Sequence, residues 1–159
     1  MRSLRPFALM LVVVLATPVV ANAQERQRVK GVIDGDTIVL QSGEHVQLIG
    51  VRTPKTKRGA NPAEPFGEEA YEFTKRLVEG KEIRLEIDPR AGFRDKHSRI
   101  LAYVFLWDET FVNAEIIRAG YGRALHNTQP LRYEADFIRL EMMARRHRRG
   151  IWAQETKGK

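Results

Sequence analysis

Two carboxylates stand one residue apart in Asp34-Gly35-Asp36, and a run of cations follows them. In that run Arg52, Lys55, Lys57 and Arg58 are not interrupted by a single acid. A third cluster, Asp95-Lys96-His97-Ser98-Arg99, adds two more cations. Asp-Gly is a hairpin signal, so a turn is the plainest reading of the first group. The cationic groups suit contact with phosphate, because Lys and Arg neutralise a polyanion and release its counterions. A solvated loop is the bland reading of residues 52–58, and a braced strand end that of Arg99. The C-terminal Arg145, Arg146, Arg148 and Arg149 read as a solvated helix end that complements the helix dipole. Other chemistry is poorly served. There is no Cys, hence no disulfide, no thiolate metal site and no thiol nucleophile. His45, His97, His126 and His147 form no close pair of the His-Glu-x-x-His kind, so zinc is not expected. No phosphate-binding glycine loop and no Ser/His/Asp arrangement is legible.

The elements that must position these residues are short. Residues 28–33 read as a strand, 37–40 as a second and 45–49 as a third, joined by turns at Asp34-Gly35 and Ser42-Gly43. Residues 52–67 hold Pro54, Pro62, Pro65, Gly59 and Gly67 and read as an exposed loop. Apolar spacing predicts a helix over 68–79, stopped by Gly80. Alternation at Ile83, Leu85 and Ile87, then at Leu101, Tyr103 and Phe105, gives two further strands. A short helical pattern covers 111–119, and a last helix is expected over 131–149, with Pro130 at its start and Gly150 at its end. The order β-β-β-α-β-β-α-α predicts an α+β fold, a small five-stranded Greek-key barrel of the OB type with three helices.

The first 23 residues stand apart. Arg2 and Arg5 precede an apolar run over 7–16, and Ala21-Asn22-Ala23 closes it with small residues. This is the pattern of a cleaved secretory signal peptide, too short for a membrane span. The expected organisation is therefore a signal peptide over 1–23 and one domain over 24–159, secreted or periplasmic, with no span after cleavage and a monomeric state. The 159 residues, 43% hydrophobic and 30% charged, fit one such domain. Losing Arg2 and Arg5 lowers the formal net charge of +7 by two and leaves a basic protein suited to polyanionic partners.

Seven stretches in order resemble the staphylococcal nuclease-like (thermonuclease) family. They are Val32-Ile33-Asp34-Gly35-Asp36-Thr37, Leu48-Ile49-Gly50-Val51-Arg52-Thr53-Pro54, Phe66-Gly67-Glu68-Glu69-Ala70, Asp95-Lys96-His97-Ser98-Arg99, Leu101-Ala102-Tyr103, Val112-Asn113 and Gly150-Ile151-Trp152. The resemblance implies an OB-like barrel and Ca²⁺-assisted cleavage of DNA and RNA backbones. It assigns metal carboxylates, a threonine carbonyl, a glutamate base and two phosphate-binding arginines. Carried across, Asp36 matches the first metal carboxylate, Thr53 the carbonyl donor and Arg99 the second arginine. The other three catalytic positions depart: Gln47 replaces the first arginine, Arg52 the second carboxylate and Lys55 the glutamate base. Asp36, Gln47, Arg52, Lys55 and Arg99 thus hold one negative charge against three positive, where the family's set is net negative.

Two unit charges about 4 Å apart interact by roughly 4 kcal/mol at an effective dielectric near 20, so Arg52 would oppose a Ca²⁺ ion strongly. The sequence therefore predicts an exported nuclease-like domain that binds nucleic acid, nucleotide or another polyanion without Ca²⁺-dependent hydrolysis and with no cofactor. Arg52 is expected to pair with Asp36 in place of the metal. Arg99, Lys55 and Lys96 are expected to attract phosphate, and His97 to line the pocket. The competing reading is an active endonuclease using Ca²⁺, in which Glu44, Glu64, Glu68 or Glu69 supplies the missing carboxylates.

Overall fold

The apolar runs between residues 28 and 49 become three strands of a closed barrel in the computed structural model, which describes residues 25–57 and 59–153. The signal-peptide reading of 1–23 and the side chain of Arg58 lie outside the described residues. Strands β1 (Gln27–Asp34), β2 (Thr37–Leu40) and β3 (His45–Leu48) form an antiparallel meander. A two-residue strand β4 (Val51–Arg52) follows, then helix α1 (Gly67–Val78). Strands β5 (Glu82–Glu86) and β6 (Ile100–Leu106) pair antiparallel, β5 returns to β1, and β6 lies parallel to β3. The barrel order is β1-β2-β3-β6-β5. Register shifts in β1 at Val29/Gly31 and Val32/Asp34 supply the bend that closure demands.

The expected five strands and three helices are present. Helix α2 runs Val112–Arg118 and α3 runs Glu134–Arg146, followed by a 3₁₀ turn at Gly150–Ala153. One pairing was not foreseen: β4 pairs with a two-residue strand β7 (Arg123–Ala124), too short to show a period.

The last helix is shorter than its pattern implied, because tertiary contacts claim the residues after Pro130. The Pro130 carbonyl accepts a hydrogen bond from Arg90, and the Arg132 N–H donates to Asp88. Leu131 is buried, and its N–H points to the Glu134 carboxylate at 3.3 Å.

The core is continuous from the barrel to the helices, with Ile38, Val46, Leu48, Ile83, Val104, Ile116 and Phe137 almost wholly buried. Two polar features tie it together. Asn113, wholly buried on α2, accepts from the Val104 N–H and donates to the Ile49 carbonyl, both at 2.9 Å. Gly50 adopts a φ of 75°, and a Cβ there would lie 2.5 Å from the Phe137 ring, so the turn after β3 needs glycine.

Candidate functional site

The second register shift in β1 and the turn into β2 bring both carboxylates of Asp34-Gly35-Asp36 inside the protein, at 1% and 2% exposure. Each is satisfied by the loop after β4. Asp34 accepts from the Thr56 hydroxyl at 2.9 Å and the Thr56 N–H at 3.3 Å. Asp36 accepts from the Thr53 N–H at 3.0 Å, and the Thr37 hydroxyl lies 3.0 Å from its Oδ1. The Lys55 Nζ then donates to both Asp36 oxygens, at 2.7 and 2.8 Å, and stands 3.7 Å from Asp34.

Lys55 is placed there by its backbone. Its N–H donates to the Glu64 carboxylate at 3.1 Å, and its carbonyl accepts from the Glu64 N–H at 2.9 Å. A Cβ at Gly67 would lie 2.2 Å from that carbonyl, so the close approach of α1 to the loop requires glycine. The expectation that Arg52 pairs with Asp36 is therefore corrected. Strand β4 directs Val51 inward and leaves Arg52 exposed, while the loop folds back and delivers the ammonium of Lys55.

The remaining sequence candidates divide. Gln47 turns its amide to the barrel, donating to the Asp36 carbonyl at 3.1 Å with Oε1 3.0 Å from the Thr37 hydroxyl. Arg99 is held by Asp95, whose Oδ2 accepts from Nε at 2.7 Å and lies 2.6 Å from the terminal nitrogen. The other Asp95 oxygen accepts the His97 and Arg99 N–H groups. Burial pushes the Asp95 carboxyl up, but these hydrogen bonds outweigh it and hold it below the ordinary value. Thr53 is buried, and its hydroxyl has no hydrogen-bond partner among the described residues.

Asp36, Gln47, Arg52, Lys55 and Arg99 share one cleft of about 770 Å³. Lys96 and His97 do not reach it. Both are exposed, and His97 borders a separate depression with Ser42 and His45, because the turn at 95–99 points them away from Arg99. Residues that the sequence reading missed complete the cleft. Arg90 adds a cation, Leu101, Leu125 and Leu131 give apolar wall, and Asn127 and Gln129 add amides. Arg90 sits there because Asp88, buried between β5 and β6, accepts its N–H at 3.0 Å, the Arg132 N–H at 2.8 Å and the Tyr103 hydroxyl at 3.3 Å. No periodicity marks Arg90 or residues 125–131, since loops carry them.

The residues present do not fit a calcium ion. Ca²⁺ takes six to eight oxygens, yet Asp36 is the only acid among the described residues lining the cleft, and both its oxygens face an ammonium. A dication about 4 Å from that ammonium would be opposed by roughly 8 kcal/mol at an effective dielectric near 20. The alternative carboxylates lie elsewhere. Glu44 pairs with Arg94, Glu64 holds the Lys55 N–H, and Glu68 and Glu69 border a depression beside Tyr121.

Comparison with known proteins agrees with this architecture. Residues 45–154 match the family model described as staphylococcal nuclease homologue. The chain is similar to a thermonuclease of Staphylococcus hyicus, 34% identical over 137 residues that span 84% of this chain and 79% of the relative. It is similar to a thermonuclease of Staphylococcus intermedius, 37% identical over 80% of this chain and 76% of the relative. Endonuclease YncB of Bacillus subtilis is 35% identical over 77% of this chain and 59% of that protein. A closed five-stranded barrel, the order of its helices and a family match over most of the chain lead to one assignment: this protein belongs to the staphylococcal nuclease family.

Proposed function

We propose that the protein is an exported nucleic-acid- or nucleotide-binding member of its family that does not hydrolyse phosphodiesters by the calcium route. The observation that carries this reading is the Lys55 ammonium seated on both oxygens of Asp36. A tethered cation neutralises the carboxylate, and among the described residues lining the cleft no other carboxylate is left to activate water. Phosphate recognition does not need that carboxylate. Arg52, Arg90 and Arg99 line the same cleft, its apolar wall and amides suit a sugar and base, and relatives are named nucleases. Asp95 fixes the Arg99 fork, which lowers the entropy lost when a phosphate is bound.

The test reverses the three departures. Gln47→Arg, Arg52→Asp and Lys55→Glu combined should create Ca²⁺-dependent cutting of plasmid and single-stranded DNA, while the unaltered protein binds the same DNA and leaves it whole. Metal-dependent cleavage by the unaltered protein, lost in both Asp36→Ala and Arg99→Ala, would defeat the reading. Export belongs to the same proposal, and N-terminal sequencing of protein recovered outside the cytoplasm should begin at Gln24.

A further inference from the structure

Helix α3 packs on α2, on β7 and on the closing 3₁₀ turn, burying Phe137 and Ala144. Its opposite face is open to solvent at Ala135, Arg139, Met142, Met143 and Arg146. The two methionines are 64% and 50% exposed. Both lie one turn after Arg139 and one turn before Arg146, so guanidinium groups frame the two thioethers. Asp136, in the first turn, is already paired with Arg139. From Met142 to Arg149 the chain holds no acid.

The four arginines at the end of the helix, read from the sequence as one solvated group, divide in the structure. Arg145 pairs with Glu141 at 2.6 Å and lies 4.0 Å over the Trp152 ring, and Arg149 donates to the Arg118 carbonyl at 3.0 Å. Arg146 and Arg148 have no hydrogen bond or ion pair among the described residues. Of these two, Arg146 borders the methionines, and Arg148 follows it where the chain leaves the helix.

We infer that this face of α3 is a membrane-docking surface whose partner is a bilayer of anionic lipid. The acid-free run and its two unused cations complement negative headgroups. A helix of this kind lies in the plane of the headgroups, its apolar side chains sunk below them and its arginines reaching up to the lipid phosphates. Nucleic acid fits the face less well, because it stacks on aromatic rings and none is exposed here. No residue of α3 lines the cleft, so the inference stands apart from the proposed function.

Co-sedimentation with vesicles of phosphatidylcholine, alone or with about 30% phosphatidylglycerol, tests this. The unaltered protein should bind only the anionic vesicles, and more weakly as salt rises. Arg146→Gln with Arg148→Gln should weaken that binding about 25-fold, at roughly fivefold per cation. Met142→Ser with Met143→Ser keeps every charge and should weaken it at least about fivefold. Lys30→Gln with Lys81→Gln removes two exposed charges from the barrel and should change it less than about twofold. In the unaltered protein the methyl resonances of Met142 and Met143 should broaden with anionic vesicles. Absence of vesicle binding overturns the inference, as do methyl signals that never broaden, binding that survives the methionine changes, or an equal loss in the lysine variant. Affinity for single-stranded DNA should be unchanged in both α3 variants. A loss of DNA binding there would make the face a nucleic-acid surface and overturn the inference as well.

Discussion

Lys55 stabilises the fold as well as blocking the site. The Asp36 carboxylate is 2% exposed, and Lys55, about one-third exposed, is its only cationic partner within 4 Å among the described residues. Removing one member of such a pair leaves a buried charge whose desolvation is no longer offset. Lys55→Met should therefore destabilise the protein by about 2 kcal/mol, a value reduced for the lysine's partial exposure. Asp36→Asn combined with Lys55→Met should recover at least half of that loss, because the amide keeps the shape without the charge. Urea melts of the two single variants and the double give the coupling, and a loss below about 0.5 kcal/mol in Lys55→Met would show the pair to be energetically idle. At this scale the sequence was informative about charge and less so about partners. The loss of charge at Gln47 and its reversal at Arg52 and Lys55 are legible once the resemblance sets the register, and Arg52, Lys55 and Arg99 do converge on one cleft. Which cation reaches Asp36 was not legible, because it depends on the Glu64 contacts that fold the loop back.

Elements that lack a period position much of the cleft. Helix α2 is too short to hold itself together and is fixed by Asn113, which bonds β6 on one side and the turn after β3 on the other. Asn113→Ala should cost about 3 kcal/mol in urea melts, since it leaves a buried N–H and a buried carbonyl without partners. A loss under about 1 kcal/mol would mean that water replaces the amide. The five barrel strands and the first two helices were readable from their apolar spacing and from the turn residues and glycines that bound them, because each is long enough to show a pattern of its own. Strands β4 and β7 were not, since two residues define no alternation. The start of α3 was misplaced for a related reason. Pro130 is a permissible first helical residue, but Arg90, Asp88 and Glu134 bind the chain there outside the helix. Local preference is overridden where distant side chains satisfy the backbone.

Over the whole molecule, two carboxylates link acid stability to the integrity of the cleft. Burial raises the Asp88 carboxyl, but the Arg132 and Arg90 amides and the Tyr103 hydroxyl outweigh it, so the group titrates below its ordinary value, as Asp95 does. A carboxyl depressed on folding contributes stability that is complete above its unfolded value, near 3.9, and is lost as pH falls through the folded one. Urea melts from about pH 6 to about pH 2.5 should show a loss beginning near pH 4, and Asp88→Asn should be less stable at neutral pH with a shallower acid slope. An identical slope in that variant would remove Asp88 from the account. The parallel seam between Val46 and Ile100 has a different consequence. Strands β1 to β3 can associate as one local unit and β5 with β6 as another, but closing the barrel requires residues far apart in the chain to meet, a kinetically slow event. Asp36 belongs to the first unit and Lys55 to the loop after β4 that folds back on it, while Arg90 and Arg99 lie between the strands of the second. The guanidinium groups therefore come to face the Asp36–Lys55 pair only when that seam zips, and any ligand bridging both sides would act as a clasp that retards its opening.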